Sequence, residues 1–187
     1  MLTATRKITM DEFLTHYDGQ AVELIQGEVI DMPPAGFEVS EIAALILAAL
    51  ATWVYPRRLG RLTGADGGYI LSPDTVRAPD VGYFSNVKSV LIVDPSKHLP
   101  FPPDLAVEVV SPNDRPTDVI DKVNLYLRVG VLQVWVVYPT LKLAYIYYPD
   151  GTARRVEAHQ SLMGGDVLPG FDLPLITLFP ADLPDTP

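Results

Sequence analysis

The chain has 187 residues, 48% of them hydrophobic, with 14 Lys and Arg against 23 Asp and Glu and a net charge of −9. That length suits one domain with one sizeable core. The acidity argues against a protein that coats nucleic acid nonspecifically, because such binding rests on Lys and Arg neutralising phosphates. It leaves room for a site where metal ions meet a phosphate, since ligand carboxylates would then account for part of the charge.

With no cysteine, disulfides, thiolate metal sites and thiol catalysis are excluded, and three histidines leave little for zinc. The most apolar helical stretch, Ile42 to Leu50, is short for a bilayer, and the N-terminus lacks a basic region followed by an apolar one. A cytoplasmic address and no membrane partner are therefore the expectation.

Thr9 to His16 reads as an opening helix, with Thr9 as cap and Glu12 three residues later. Ala21 to Ile25, the turn Gln26-Gly27 and Glu28 to Met32 read as a hairpin over about 21–32. Its carboxylates Glu23 and Glu28 are either solvated strand residues or, for Glu23, part of a site. From Glu38 to Tyr55, Val39, Ile42, Leu45, Ile46, Ala49, Leu50 and Trp53 recur at helical spacing. Glu38 lies at the margin of that stripe, where it either turns inward or caps the helix start, and Glu41 lies farther out.

Arg61 to Phe84 is broken by Gly67-Gly68 and Ser72-Pro73-Asp74 into consecutive antiparallel strands, the last opening at Pro79-Asp80. Asn86 to Pro100 is a polar surface excursion. Leu105 to Val110 is a buried strand, and Thr117 is placed to cap a helix to Arg128 that stops at Gly130. Leu132 to Tyr138 completes a β-α-β unit, which requires a parallel pair. A C-terminal hairpin extension over about 141–180 follows, with a last short element packed across the sheet. The reading is one α+β domain over 1–187, a central mixed sheet flanked by helices. No phosphate-cradling glycine pattern occurs.

The chemistry gathers on charged residues in apolar surroundings. Glu108 sits alone within Leu-Ala-Val-Glu-Val-Val, and burying a carboxylate costs several kcal/mol unless a metal, a cation or hydrogen bonds satisfy it. Asp80 opens one strand, and Lys122 lies on the flank of the helix after Glu108. Two acids and a lysine outline metal-dependent phosphodiester chemistry: hard oxygen ligands hold Mg²⁺ or Mn²⁺, and the lysine positions or stabilises the nucleophile. If Asp80 and Glu108 merely repel each other, replacing either by its amide in metal-free buffer leaves stability unchanged or raises it.

Val22-Glu-Leu-Ile-Gln-Gly-Glu-Val, Gly36-Phe-Glu, Thr75-Val-Arg-Ala-Pro-Asp-Val, Pro103-Asp-Leu-Ala-Val-Glu-Val-Val-Ser-Pro, Lys122, Val134-Trp-Val-Val and Leu168-Pro-Gly-Phe together carry a resemblance to the PD-(D/E)XK nuclease superfamily. Within it the chain looks like the Uma-type family of restriction-endonuclease-like proteins, which occur in many copies in some bacterial genomes. The resemblance implies a restriction-endonuclease-like fold, DNA as substrate and Asp80 and Glu108 as ligands of a divalent metal. It also implies that the catalytic lysine, usually two residues after the glutamate where this chain has Val110, comes from the next helix as Lys122. The acid of the first long helix maps onto Glu38, and a histidine frequent in relatives is replaced by Val39. A homodimer is compatible with this picture. So is a catalytically silent relative that keeps the fold as a nucleic-acid-binding or protein-interaction module.

Overall fold

The structure, a computed structural model that describes residues 7–179, begins with helix α1 (Met10–His16) on a capping box. Glu12 donates its backbone N–H to the Thr9 hydroxyl at 3.2 Å and returns a carboxylate to the Thr9 N–H at 2.9 Å. Strands β1 (Val22–Ile25) and β2 (Glu28–Asp31) turn on Gln26 and Gly27, both at positive φ (50° and 83°). That is the twist a two-residue hairpin needs.

Helix α2 (Phe37–Val54) starts one residue earlier than its periodicity predicts, from Gly36, and buries Val39, Ile42, Ile46, Leu50 and Val54. It carries no charge from Ile42 to Val54. By length and composition it is therefore long and apolar enough to cross a bilayer, whereas the shorter stretch that stands out in the sequence is not. Its buried face is the core of the main sheet.

The segment expected to give consecutive antiparallel strands divides between two sheets. Strands β4 (Tyr69–Ser72) and β5 (Thr75–Arg77) form a hairpin, and β5 pairs with β1, giving a four-stranded sheet of order β2-β1-β5-β4. This sheet closes over Phe13, Leu24 and Val76. Strands β3 (Gly60–Thr63) and β6 (Val81–Ser85), which bracket the hairpin, pair with each other instead. Pro79 has no N–H to donate and separates the two ladders.

The main sheet adds β7 (Leu105–Val109), β8 (Gln133–Tyr138), β9 (Leu143–Tyr147) and β10 (Ala153–Glu157) in the order β10-β9-β8-β7-β6-β3. All its pairs are antiparallel except β7–β8, joined through helix α4 (Pro116–Arg128). The α4 start differs from the expected Thr117 cap: Pro116 takes the first helical position and Arg115 precedes it. Its end is as expected, with Gly130 at φ 99° and the Val131 N–H reaching the Tyr126 carbonyl at 3.0 Å.

After β6, helix α3 (Asn86–Ser89) leads into the surface excursion. The tail holds a further hairpin, β11 (Ser161–Met163) and β12 (Asp172–Pro174), and a 3₁₀ turn, Leu175–Leu178, where a single short element was expected. Period-two alternation gives β7 two faces. Leu105, Val107 and Val109 join the α2 core, whereas Ala106 packs under α4 with Val119, Val123, Tyr126, Val134 and Val136. Glu108 shares the α4 side with Ala106.

Candidate active site

Strand β6 runs antiparallel to β7 with Val81 opposite Val107, so the same register carried one residue further sets Asp80 opposite Glu108. Asp80 Oδ2 accepts the Val109 N–H at 2.7 Å, which ties the head of β6 to the end of β7. Its other oxygen has no protein hydrogen bond among the described residues. Both oxygens of the buried Glu108 are engaged: Lys122 Nζ donates to Oε2 and the Tyr126 hydroxyl to Oε1, each at 2.7 Å. Lys122 and Tyr126 are one helical turn apart on α4 and so present their side chains to the same side.

A second ion pair comes from the four-stranded sheet. Glu23 on β1 is 1% exposed; its Oε2 accepts from Arg77 Nη1 at 2.6 Å and its Oε1 from the Ala78 N–H at 2.9 Å. Arg77 Nε is buried and has no hydrogen-bond partner. A small cleft of about 40 Å³, lined by Glu108, Val109, Val110, Asp114, Asp118, Val119 and Lys122, opens beside the cluster.

The electrostatics follow from these neighbours. Burial first, then the Glu108 charge, with a lesser push from Asp114, raises the Asp80 pKa to about 6 against the pull of the Val109 N–H and Lys122. Burial works against the Lys122 charge, but attraction to Glu108 and Glu23 and the hydrogen bond to Glu108 outweigh it and hold its pKa above the ordinary lysine value. Lys122 is thus an ammonium at neutral pH and a poor general base. Burial, then Glu108, pushes the Tyr126 phenol well above its usual range, which keeps it a neutral donor. Arg77 acts on both Lys122 and Tyr126, so the second ion pair faces the same cluster.

Of the residues singled out from sequence, Asp80, Glu108, Lys122 and Glu23 come together and Glu38 does not. Glu38 is exposed in the first turn of α2 and makes no side-chain cap there. Glu23 is deeply buried and paired, so the solvated-strand reading does not hold for it; Glu28 is exposed. Val39, where the resemblance implied a histidine in relatives, is buried in the core between α2 and the main sheet. Sequence reasoning missed Tyr126 and Arg77. Their signals were a phenol one turn beyond Lys122 and an arginine three residues before Asp80, at the end of the short strand Thr75–Arg77.

Among the described residues no three His, Cys, Asp or Glu side chains converge on one cation site. The donor set nevertheless fits a hard divalent ion. Mg²⁺ takes only one or two carboxylates and keeps waters or phosphate oxygens for the rest. Asp80 offers a free carboxylate oxygen beside Glu108, and its pKa is raised first by burial and then by the Glu108 charge, which Lys122 only partly offsets.

A family model, Uma2, described as "Putative restriction endonuclease", matches residues 10–176. The chain belongs to that family. A crystal structure described as a putative nuclease belonging to DUF820 from Anabaena variabilis ATCC 29413 superposes with a TM-score of 0.79 at 22% identity, covering 92% of this chain and 97% of that one. At that identity the likeness is one of fold, and the fold is restriction-endonuclease-like: a central mixed sheet with α2 on one face and α4 on the other. No curated protein matches the chain.

Proposed function

We propose that this Uma2-family chain is a divalent-metal-dependent nuclease that hydrolyses DNA phosphodiester bonds at the Asp80–Glu108–Lys122 cluster. The observation that carries the reading is the 2.7 Å contact of Lys122 with Glu108 beneath Asp80. A lysine from the following helix thereby takes up the station that Val110 leaves empty. Asp80 and Glu108 would hold Mg²⁺ or Mn²⁺, which when bound supplies charge neutralisation at the phosphate and lowers the pKa of a coordinated water.

The protein's own groups divide the remaining work. Lys122, charged at neutral pH, orients the nucleophile and stabilises the negative charge that grows on the phosphate. Tyr126 fixes the Glu108 carboxylate by donating to Oε1. Glu23 has both oxygens committed, so its part is to hold Arg77, whose Nη2 is the donor left for a phosphate oxygen because its Nε is buried.

Purified full-length protein is to be assayed on single- and double-stranded DNA with Mg²⁺ or Mn²⁺. Lys122→Ala is expected to lower metal-dependent cleavage by about 10² or more while DNA and metal affinity change far less, the scale for losing one oriented electrostatic group. Alanine favours helix, so α4 should persist. Wild type that cuts no DNA with either metal refutes the enzyme reading. One specific observation would then support a silent binding module, namely that both Glu108 oxygens are already satisfied by protein donors.

A further inference from the structure

A second concavity, of about 380 Å³, lies where the loop after α1, the edge strand β3, the head of β4 and the surface excursion meet. Backbone hydrogen bonds fix its walls. The Ile70 N–H donates to the Leu99 carbonyl at 2.8 Å and the Leu99 N–H to the Gly68 carbonyl at 3.1 Å, which lays the excursion alongside β4. Tyr69 closes the side toward the Asp80 cluster. Its partner in the β4–β5 ladder is Arg77, and it lies over Gly82, two residues after Asp80, where a Cβ would come within 2.6 Å of the Tyr69 hydroxyl. The cavity therefore neighbours the candidate active site without sharing a lining residue with its cleft.

Three kinds of surface line it. Tyr69, Phe84, Ile92 and Leu99 belong to one small apolar cluster and form an aromatic and aliphatic floor. Burial pushes the Tyr69 phenol up to about 12 against the pull of its hydrogen bond with Thr63, so the floor carries no charge. Two exposed cations follow. Arg61 makes no ion pair or hydrogen bond among the described residues, and Lys97 has only a 3.9 Å contact with the exposed Asp18, a kind of pair that contributes little and yields readily to a ligand. The third surface is acceptor oxygen, from Asp18 and from the exposed Asp66, whose carboxylate has no hydrogen bond among the described residues.

A ligand that uses all three surfaces has a flat ring for the floor, an anionic group for the cations, and hydroxyl or amino donors for the carboxylates. A simple anion leaves the floor bare, and a plain aromatic leaves Arg61 and Lys97 unanswered. We infer that this cavity binds one nucleotide, with its base on the Tyr69 and Phe84 floor, its phosphate on Arg61 and Lys97, and its sugar hydroxyls or base amino group on Asp18 or Asp66. The volume is at the lower end of the roughly 300–1,000 Å³ usual for small-ligand pockets, which suits a single nucleotide unit and not a duplex. The inference does not depend on whether the Asp80 cluster cuts DNA.

Calorimetric titration of the full chain with AMP, adenosine and inorganic phosphate tests it, in EDTA so that no metal at Asp80 and Glu108 recruits the phosphate. AMP is expected to bind at least about tenfold more tightly than either of its halves, because it alone reaches the floor and the cations together. Arg61→Ala is expected to weaken AMP at least about tenfold and leave adenosine unchanged, and at an exposed position it should not alter circular dichroism. Ile92→Trp, which fills the space over the floor, should weaken AMP and adenosine alike. Lys122→Ala should change neither, which separates this cavity from the cluster.

A nucleotide reaches such a cavity either free or as the end of a strand, and competition distinguishes the two. Displacement of AMP by a 5′-phosphorylated oligothymidylate supports the proposal with a strand end as the source, and AMP binding that the oligonucleotide leaves intact supports it with a free nucleotide. Wild type that binds no AMP at concentrations up to about 10 mM overturns the proposal. So does phosphate that binds as tightly as AMP, which would make this a simple anion site. AMP affinity unchanged in folded Arg61→Ala, or lost in Lys122→Ala, overturns it as well.

Discussion

Replacing the two site carboxylates by their amides in metal-free buffer should move stability in opposite directions. Burial and then the Glu108 charge push the Asp80 carboxyl up to about 6 from its ordinary 3.8, so its ionised form destabilises the fold. That difference corresponds to about 3 kcal/mol above pH 7. The sign follows from proton linkage: the folded state binds the proton more tightly, so this penalty is absent below pH 3.8, grows as pH rises and is complete above about 6. Asp80→Asn removes it, and its side-chain oxygen still accepts the Val109 N–H, though more weakly. A net gain of about 1–3 kcal/mol is expected, and each kcal/mol shifts Tm by about 2–4 °C in a chain of this size.

Glu108→Gln behaves differently because Glu108 is paired. It leaves the Lys122 ammonium without its carboxylate, and since the Lys122 side chain is 22% exposed the loss is expected at about 1–3 kcal/mol, below the cost for a fully buried pair. Repulsion alone, which is all the sequence exposes, assigns both variants the same sign. Thermal denaturation in EDTA at pH 7.5 and pH 4 decides the matter. The Asp80→Asn gain should shrink toward zero at pH 4, and Mg²⁺ should raise the wild-type Tm but neither variant's. A fall in Tm for Asp80→Asn comparable to that for Glu108→Gln would refute the account of an unbalanced site.

Metal-dependent cleavage should decline as pH falls through about 6, because a protonated Asp80 cannot ligate, and more Mg²⁺ should move the inflection lower by competing with the proton; a flat profile from pH 5 to 8 counts against Asp80 as ligand. Arg77→Met strands the buried Glu23 and is expected to cost about 3–5 kcal/mol, most of which Arg77→Met with Glu23→Gln should recover. If that double variant folds and still binds DNA as wild type does, Arg77 is no phosphate contact. Calorimetric Mg²⁺ binding unchanged in Glu108→Gln would place the metal elsewhere.

The sequence by itself determined the elements whose signals are local. The Thr9 capping box, the Gln26-Gly27 turn, the helical spacing of α2 and the two apolar runs around α4 are each set within a few residues. So is the anomaly of Glu108, since a charge in an apolar strand is visible without knowing what surrounds it. Tertiary structure decided what pairs with what. Whether β5 stays in one sheet with β6 or leaves to join β1 depends on burying Val76 against Leu24, about fifty residues away in the chain, and no local pattern carries that choice. The same holds for the site. Arg77 meets Glu23 across 54 residues and Tyr126 meets Glu108 across 18, so both read as ordinary strand and core residues until the sheets and α4 close. Glu38 fails to join them because its rotation about α2 is set by the neighbouring Val39, which the core claims. Periodicity gives a helix its apolar face, but only packing against the sheet fixes where the margin of that face points.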